Sequence, residues 1–133
     1  MSASLQHIVA LIGRIALAAL FVLEGIHKLA RLDATAEYMA RAGLPLVPVL
    51  LGLSILLELG GGLAIAVGWK ARWAAAAFAA YLVPVTLVFH VPLITDPQAG
   101  PMQIIQTLKN LSIFGGMLLL AAFGPGRYSL DRT

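Results

Sequence analysis

The side chains able to do chemistry in this chain fall inside apolar stretches, where charge is most expensive. Arg14, Glu24, His27 and Lys28 lie within residues 11–32, LIGRIALAALFVLEGIHKLARL; Glu58 interrupts a second apolar run, His90 closes a third, and Lys109-Asn110 opens a fourth. A charged residue near a bilayer centre costs ~2.5–3.5 kcal/mol on insertion scales, and each strongly apolar residue returns only ~0.3–0.6 kcal/mol. The first stretch can therefore offset about two central charges and needs partner helices to accept its polar face. Glu24, His27 and Lys28 are spaced i, i+3 and i+4, on one side of a helix, with Glu before Lys in the favourable order. Arg14 falls about 40° from Lys28 on the helical wheel, still on that side. Carboxylates, ammonium groups and a histidine gathered in one apolar interior can pair with each other, exchange protons, or hold a ligand's oxygens.

The elements that must position these groups follow from composition. The chain has 133 residues, 60% of them hydrophobic and 11% charged, and its mean hydropathy is +0.92. These values exclude the ordinary soluble class and indicate one membrane domain. The net charge of +3 is spread over scattered residues with no aromatic-basic platform, so nucleic acid is not an expected partner. The chain has no cysteine, which removes dithiol chemistry, thiolate metal sites and disulfides. Three histidines at positions 7, 27 and 90 make no metal or haem pattern, and no P-loop or dinucleotide fingerprint occurs. No metal and no cofactor carried by the chain itself is expected.

An all-α integral membrane four-helix transmembrane bundle is predicted, with spans over 8–30, 47–68, 74–91 and 103–123 and a short interfacial helix at 34–42 between the first two. Residues 1–7 read as a polar tail without the basic n-region of a signal peptide. Asp33 suits an N-cap, Gly43 a C′ position, and Pro45 stops continuation. Gly52, Leu56, Gly60, Ala64 and Gly68 lie four apart and form a ridge that invites close helix approach. Trp69-Lys70-Ala71-Arg72-Trp73 reads as a tight interfacial turn, and Pro84 is expected to bend the third span. Lys70, Arg72, Arg127 and Arg132 on the terminal side outnumber Arg31 and Arg41 on the other. The positive-inside rule then places both termini on the cytoplasmic side, and the expected location is a bacterial cytoplasmic (inner) membrane.

Counting ~1.5 Å per residue from the face of the first loop puts Glu24 and Lys109 ~9 Å deep, Lys28 and His90 within ~3 Å, and Glu58 ~16 Å deep. Pairing of Glu24 with Lys109 or with Lys28 is the natural expectation. Lys109 near a helix N-terminus opposes the macrodipole and calls for a specific partner. If these pairs only fix helix order, there is no ligand. If they frame a pocket open to the loop side, Arg14, Lys28 and Lys109 outnumber Glu24 and Glu58. The expected ligand then carries carbonyl or anionic oxygens, such as a quinone head group or a small oxyanion. In that reading Glu24, Glu58 and His90 are proton or hydrogen-bond partners, and Arg14, Lys28, Lys109 and Asn110 orient the ligand's oxygens.

The chain resembles the DoxX family of small four-helix membrane proteins along nearly its whole length. The resemblance rests on Leu11-Ile12-Gly13-Arg14, Gly25-Ile26-His27-Lys28, Tyr38-Met39 with Gly43-Leu44-Pro45, Glu58 ahead of Gly61-Gly62, Lys109-Asn110, and the closing Gly124-Pro125-Gly126-Arg127-Tyr128-Ser129-Leu130-Asp131. It implies an integral membrane protein and does not specify a reaction. Family members are associated with thiosulfate:quinone oxidoreductase, oxidative-stress redox complexes and methylamine utilisation. The leading expectation is a subunit or accessory of a quinone-linked redox system, with a bound quinone and a protein partner or homo-oligomer. The alternative is a non-enzymatic assembly or scaffold protein whose buried charges are structural, and a conduit for protons or small solutes ranks third.

Overall fold

The structure is a computed structural model and describes Met1–Asp131. Arg132, part of the charge asymmetry above, lies outside the described residues. Four helices, Ala3–Ala30, Val47–Val67, Ala71–Leu93 and Gly100–Phe123, are long and apolar enough to cross a membrane, and the chain folds as an all-α four-span bundle in a lipid environment.

The first helix, α1 (Ala3–Ala30), begins inside the expected polar tail. Ser2 caps it by accepting a hydrogen bond from the Leu5 amide at 3.4 Å. His7 has something to pack on, because its ring meets Tyr128 of the C-terminal tail edge-on at 6.3 Å. The short helix α2 (Leu32–Arg41) follows after one residue. Its cap is Arg31 and not the expected Asp33, which sits in the first turn. Gly43 takes φ +82° at the end of α2, and Pro48 enters the first turn of the next helix.

Span two is not one continuous α-helix. It runs as α3 (Val47–Leu56), a π turn over Leu57–Gly61, and α4 (Gly62–Val67). A π turn inserts one residue per turn and shifts the register of everything beyond it. The buried stripe accordingly runs Leu51, Ser54, Glu58, Gly62 and Ile65, which displaces the expected four-residue ridge. A Cβ on Gly52 or Gly60 would meet nothing within 4 Å, whereas one on Gly62 would lie 2.8 Å from Val22 and one on Gly61 3.0 Å from Phe78. On the facing helix, a Cβ at Gly25 would stand 2.7 Å from Leu59 and 3.3 Å from the Glu58 Cβ. Glycine at 25 thus lets the π turn press against α1.

The third span is α5 (Ala71–Phe89), continued by a 3₁₀ turn at Val91–Leu93, with Pro84 in the helix interior. It starts earlier than its sequence suggests because its cap comes from far away. The Asp131 carboxylate accepts from the Lys70 and Ala71 amides at 2.7 and 2.8 Å. The fourth span is α6 (Gly100–Phe123), which makes its most extensive helix contact with α5. The core joins Ala18 and Phe21 of α1, Ile65 of α4, Ala75, Phe78, Ala79 and Leu82 of α5, and Met117 and Leu120 of α6. Phe21 and Phe78 stack at 4.0 Å between ring centroids. Lipid is as apolar as leucine, so close fit and hydrogen bonds between helices hold such a bundle together.

Candidate functional site

The π turn presents Glu58 inward, where it is 3% exposed, and Gly25 brings α1 against it. Lys28, one helical turn on from Gly25, reaches Glu58 with its ammonium, Nζ to Oε1 at 2.6 Å. From α5, the Tyr81 hydroxyl donates to the same Oε1 at 2.9 Å and accepts from Lys28 Nζ at 3.2 Å. Three spans therefore meet in a closed triangle of ammonium, carboxylate and phenol. The other carboxylate oxygen, Glu58 Oε2, is buried and has no hydrogen-bond partner among the described residues.

Beside this triangle, under α2, lies a cavity of about 400 Å³ between span two and α5. Lys28, Ser54 and Tyr81 form its polar part, His90 stands at its edge, and Met39 and Val85 are among its apolar walls. Tyr38 of α2 stacks on Phe89 of α5 at 5.1 Å and also lines the cavity. The lining is mainly aliphatic and aromatic, with a few polar groups converging at one end, as in small-molecule sites generally.

Of the side chains expected at a site, the structure gathers three here. Lys28 and His90 line the cavity, and Glu58 stands behind Lys28 and Tyr81. The expected pairing of Glu24 with Lys109 or Lys28 does not form; Lys28 pairs with Glu58, and Glu24 and Lys109 are exposed on the bundle's outside, without an ion-pair partner among the described residues. The depth count misplaced Lys28 because it took all span ends as level. Gly25 lies beside Glu58, so α1 stops roughly 9 Å short of the level where span two begins. The long lysine stem bridges what remains.

Asn110 and Arg14 belong elsewhere. Asn110 donates to Thr86 at 3.0 Å and ties α6 to α5, as His90 Nδ1 does with Gln103 at 2.7 Å. Arg14 faces the terminal end, where Nε donates to the Ala66 carbonyl at 3.2 Å and Nη1 and Nη2 donate to the Pro125 and Tyr128 carbonyls at 2.6 Å each. Its guanidinium fixes the C-terminal tail against α1 and α4 and does not border the cavity. Sequence reasoning passed over Tyr81. Its signal was available: Tyr81 lies eight residues before the end of α5, about 12 Å deep, close to the level of Glu58.

Residues 9–91 match the DoxX family. The chain is 38% identical over 128 residues to the inner membrane protein YqjF of Escherichia coli, covering 96% of this chain and 93% of that protein. It is 35% identical over 123 residues to the inner membrane protein YphA of the same organism, covering 92% and 87%. No solved structure matches it. The family match begins before Arg14 and ends just past His90, so it encloses the Lys28–Glu58–Tyr81 triangle and all but the last helix of the bundle, and both relatives extend the likeness over nearly the whole chain: this protein belongs to the DoxX family.

Proposed function

We propose that this inner-membrane protein is an accessory of a quinone-linked redox system and holds a quinone-like head group in the cavity beneath α2. The observation that carries this reading is the hydrogen-bond state of the triangle. An ammonium group has three N–H bonds, and Lys28 uses two of them, on Glu58 and Tyr81. The third is left to donate to a carbonyl oxygen in the cavity. Glu58 Oε2 is a buried acceptor lacking a donor among the described residues, and a buried acceptor left unpaired costs about 1–3 kcal/mol. A quinone carbonyl cannot supply that donor, but the hydroxyl of its reduced form can. A flat, apolar ring with oxygens on its edge suits walls such as Phe89 and Val85 with Lys28 and Tyr81 at the end. Electrons would come from a protein partner, and the role of this chain would be to seat the head group.

The test is a quinone determination on protein purified gently from its own membrane, by solvent extraction and mass spectrometry, beside Lys28→Met and Glu58→Gln. Near-stoichiometric quinone in the wild type, lost in both variants while they stay folded, supports the reading. Equal background in all three overturns it in favour of a scaffold whose triangle only locks α1, span two and α5 together.

A further inference from the structure

The seam between span two and α5 contains a second recess, toward the terminal end. It is an open trough of about 500 Å³ that adjoins the first cavity at Leu53 and Leu57. Its floor is made of small residues, Gly60, Gly61 and Ala64, and Trp69, Lys70 and Trp73 stand at its terminal mouth. From Ala64 to Leu53 the trough is about 16 Å long, half of a ~30 Å hydrocarbon core and so the depth of one leaflet.

We propose that this trough is a binding site for an anionic phospholipid of the leaflet on the terminal side, one acyl chain lying along Gly60 and Ala64 and the phosphate meeting Lys70 and the two indoles. The charge at the mouth argues for the anionic class. Lys70 is exposed, with its ammonium 5.2 Å from the Trp69 ring centroid, and has no ion-pair partner among the described residues. The nearest carboxylate, Asp131, is engaged with the backbone amides of Lys70 and Ala71. The neighbouring Arg72 is turned away to the Ala122 carbonyl at 3.0 Å. Lys70 also holds φ at +47°, a conformation that L-residues other than glycine rarely adopt. The indole N–H groups at an apolar–polar boundary supply donors where a phosphate would sit. A Cβ at Gly60 would meet nothing within 4 Å, so the floor is open to an occupant at Gly60, while at Gly61 Phe78 of α5 closes it from beneath, 3.0 Å from a Cβ there.

The chain's two tryptophans are both at this mouth, which makes intrinsic fluorescence a reporter of the lipid that meets it. Full-length protein is placed in phosphatidylcholine vesicles containing a minor fraction of phosphatidylglycerol, with brominated chains on one lipid at a time. Quenching by phosphatidylglycerol should exceed its mole fraction about fivefold, the enrichment given by one lysine–anion contact. Lys70→Gln should return quenching to the mole fraction, Gly60→Leu should cut quenching by either lipid, and Arg127→Gln should leave the enrichment intact. Quenching in simple proportion to composition overturns the proposal. So does an equal loss in Arg127→Gln, which would mean diffuse surface charge. Tryptophans insensitive to both brominated lipids would overturn it as well, because a second copy or another protein would then cover the trough.

Discussion

Arg14 and Glu58 are both 3% exposed, yet their surroundings are opposite. At the terminal end, the Arg14 guanidinium is met by three backbone carbonyls from α4 and the C-terminal tail. At the loop end, Glu58 has one oxygen bonded twice and the other without a partner among the described residues, and it stands behind the Lys28 and Tyr81 side chains that line the cavity. Every nitrogen of the Arg14 guanidinium has an acceptor within the fold. One oxygen of the Glu58 carboxylate has no donor among the described residues, and the proposed ligand site rests on that difference. The lesson is that two buried charges within spans can differ in how far the fold itself supplies their hydrogen-bond partners.

The comparison breaks most visibly at Arg14. Arg14→Met leaves three carbonyls without their donor and releases the tail, and thermal unfolding in detergent should show a loss of about 3–5 kcal/mol. Ligand content per folded molecule should not change. Next is the triangle, probed by a double-mutant cycle on Lys28→Met and Glu58→Gln. Lys28→Met strands a buried carboxylate and should cost about 3 kcal/mol, while the double variant recovers much of that because no charge is left unpaired. Ligand binding should stay lost in the double variant, and its return would show that the triangle is only structural. Tyr81→Phe removes one donor and one acceptor from the triangle and should cost about 1 kcal/mol, read as a shifted unfolding midpoint.

The smallest expected effect tests the contrast from outside the spans. Asp96 accepts from the Ala99 and Gln98 amides at 2.8 Å each, just ahead of α6. Those amides, Ala99 foremost, hold its carboxyl below the usual carboxylate value. A lowered folded-state value means that the contribution is complete above the ordinary carboxylate range and is lost as pH falls through the lowered one. Amide exchange at Gln98 and Ala99, corrected for intrinsic rates, should accelerate only in that acid window, with the triangle unaffected.

The spans, the interfacial helix and the indole-marked turn could be read from the sequence because length, hydropathy and Gly-Pro punctuation are local signals. Lys28 and Glu58 were legible as a pair of unusual residues but not as partners. Their meeting depends on Gly25, on the register shift at Leu57–Gly61 and on the unequal heights of the span ends, and none of these leaves a periodic mark. Arg14 was read toward the interior for a similar reason. Its acceptors are backbone carbonyls of Pro125 and Tyr128, more than a hundred residues away, and a carbonyl has no sequence signature. The cap of α5 by Asp131 comes from about 60 residues along the chain, again beyond the reach of a local signal.

The π turn has a consequence for how this protein can change. Span two carries one residue more than an α-helix of its height would hold, so its two halves are set about 100° out of phase. Excision of a single residue such as Gly60, where an added Cβ would meet nothing within 4 Å, would bring the halves into phase and rotate α4 by about 100° relative to Glu58. Glu58 and the buried face of α4 could then not both keep their present partners, although no polar side chain is altered. For this bundle, a one-codon deletion would reach the triangle as surely as a substitution within it. Homologues that differ by a gap at this turn would be expected to differ in what they hold, even with every charged residue retained.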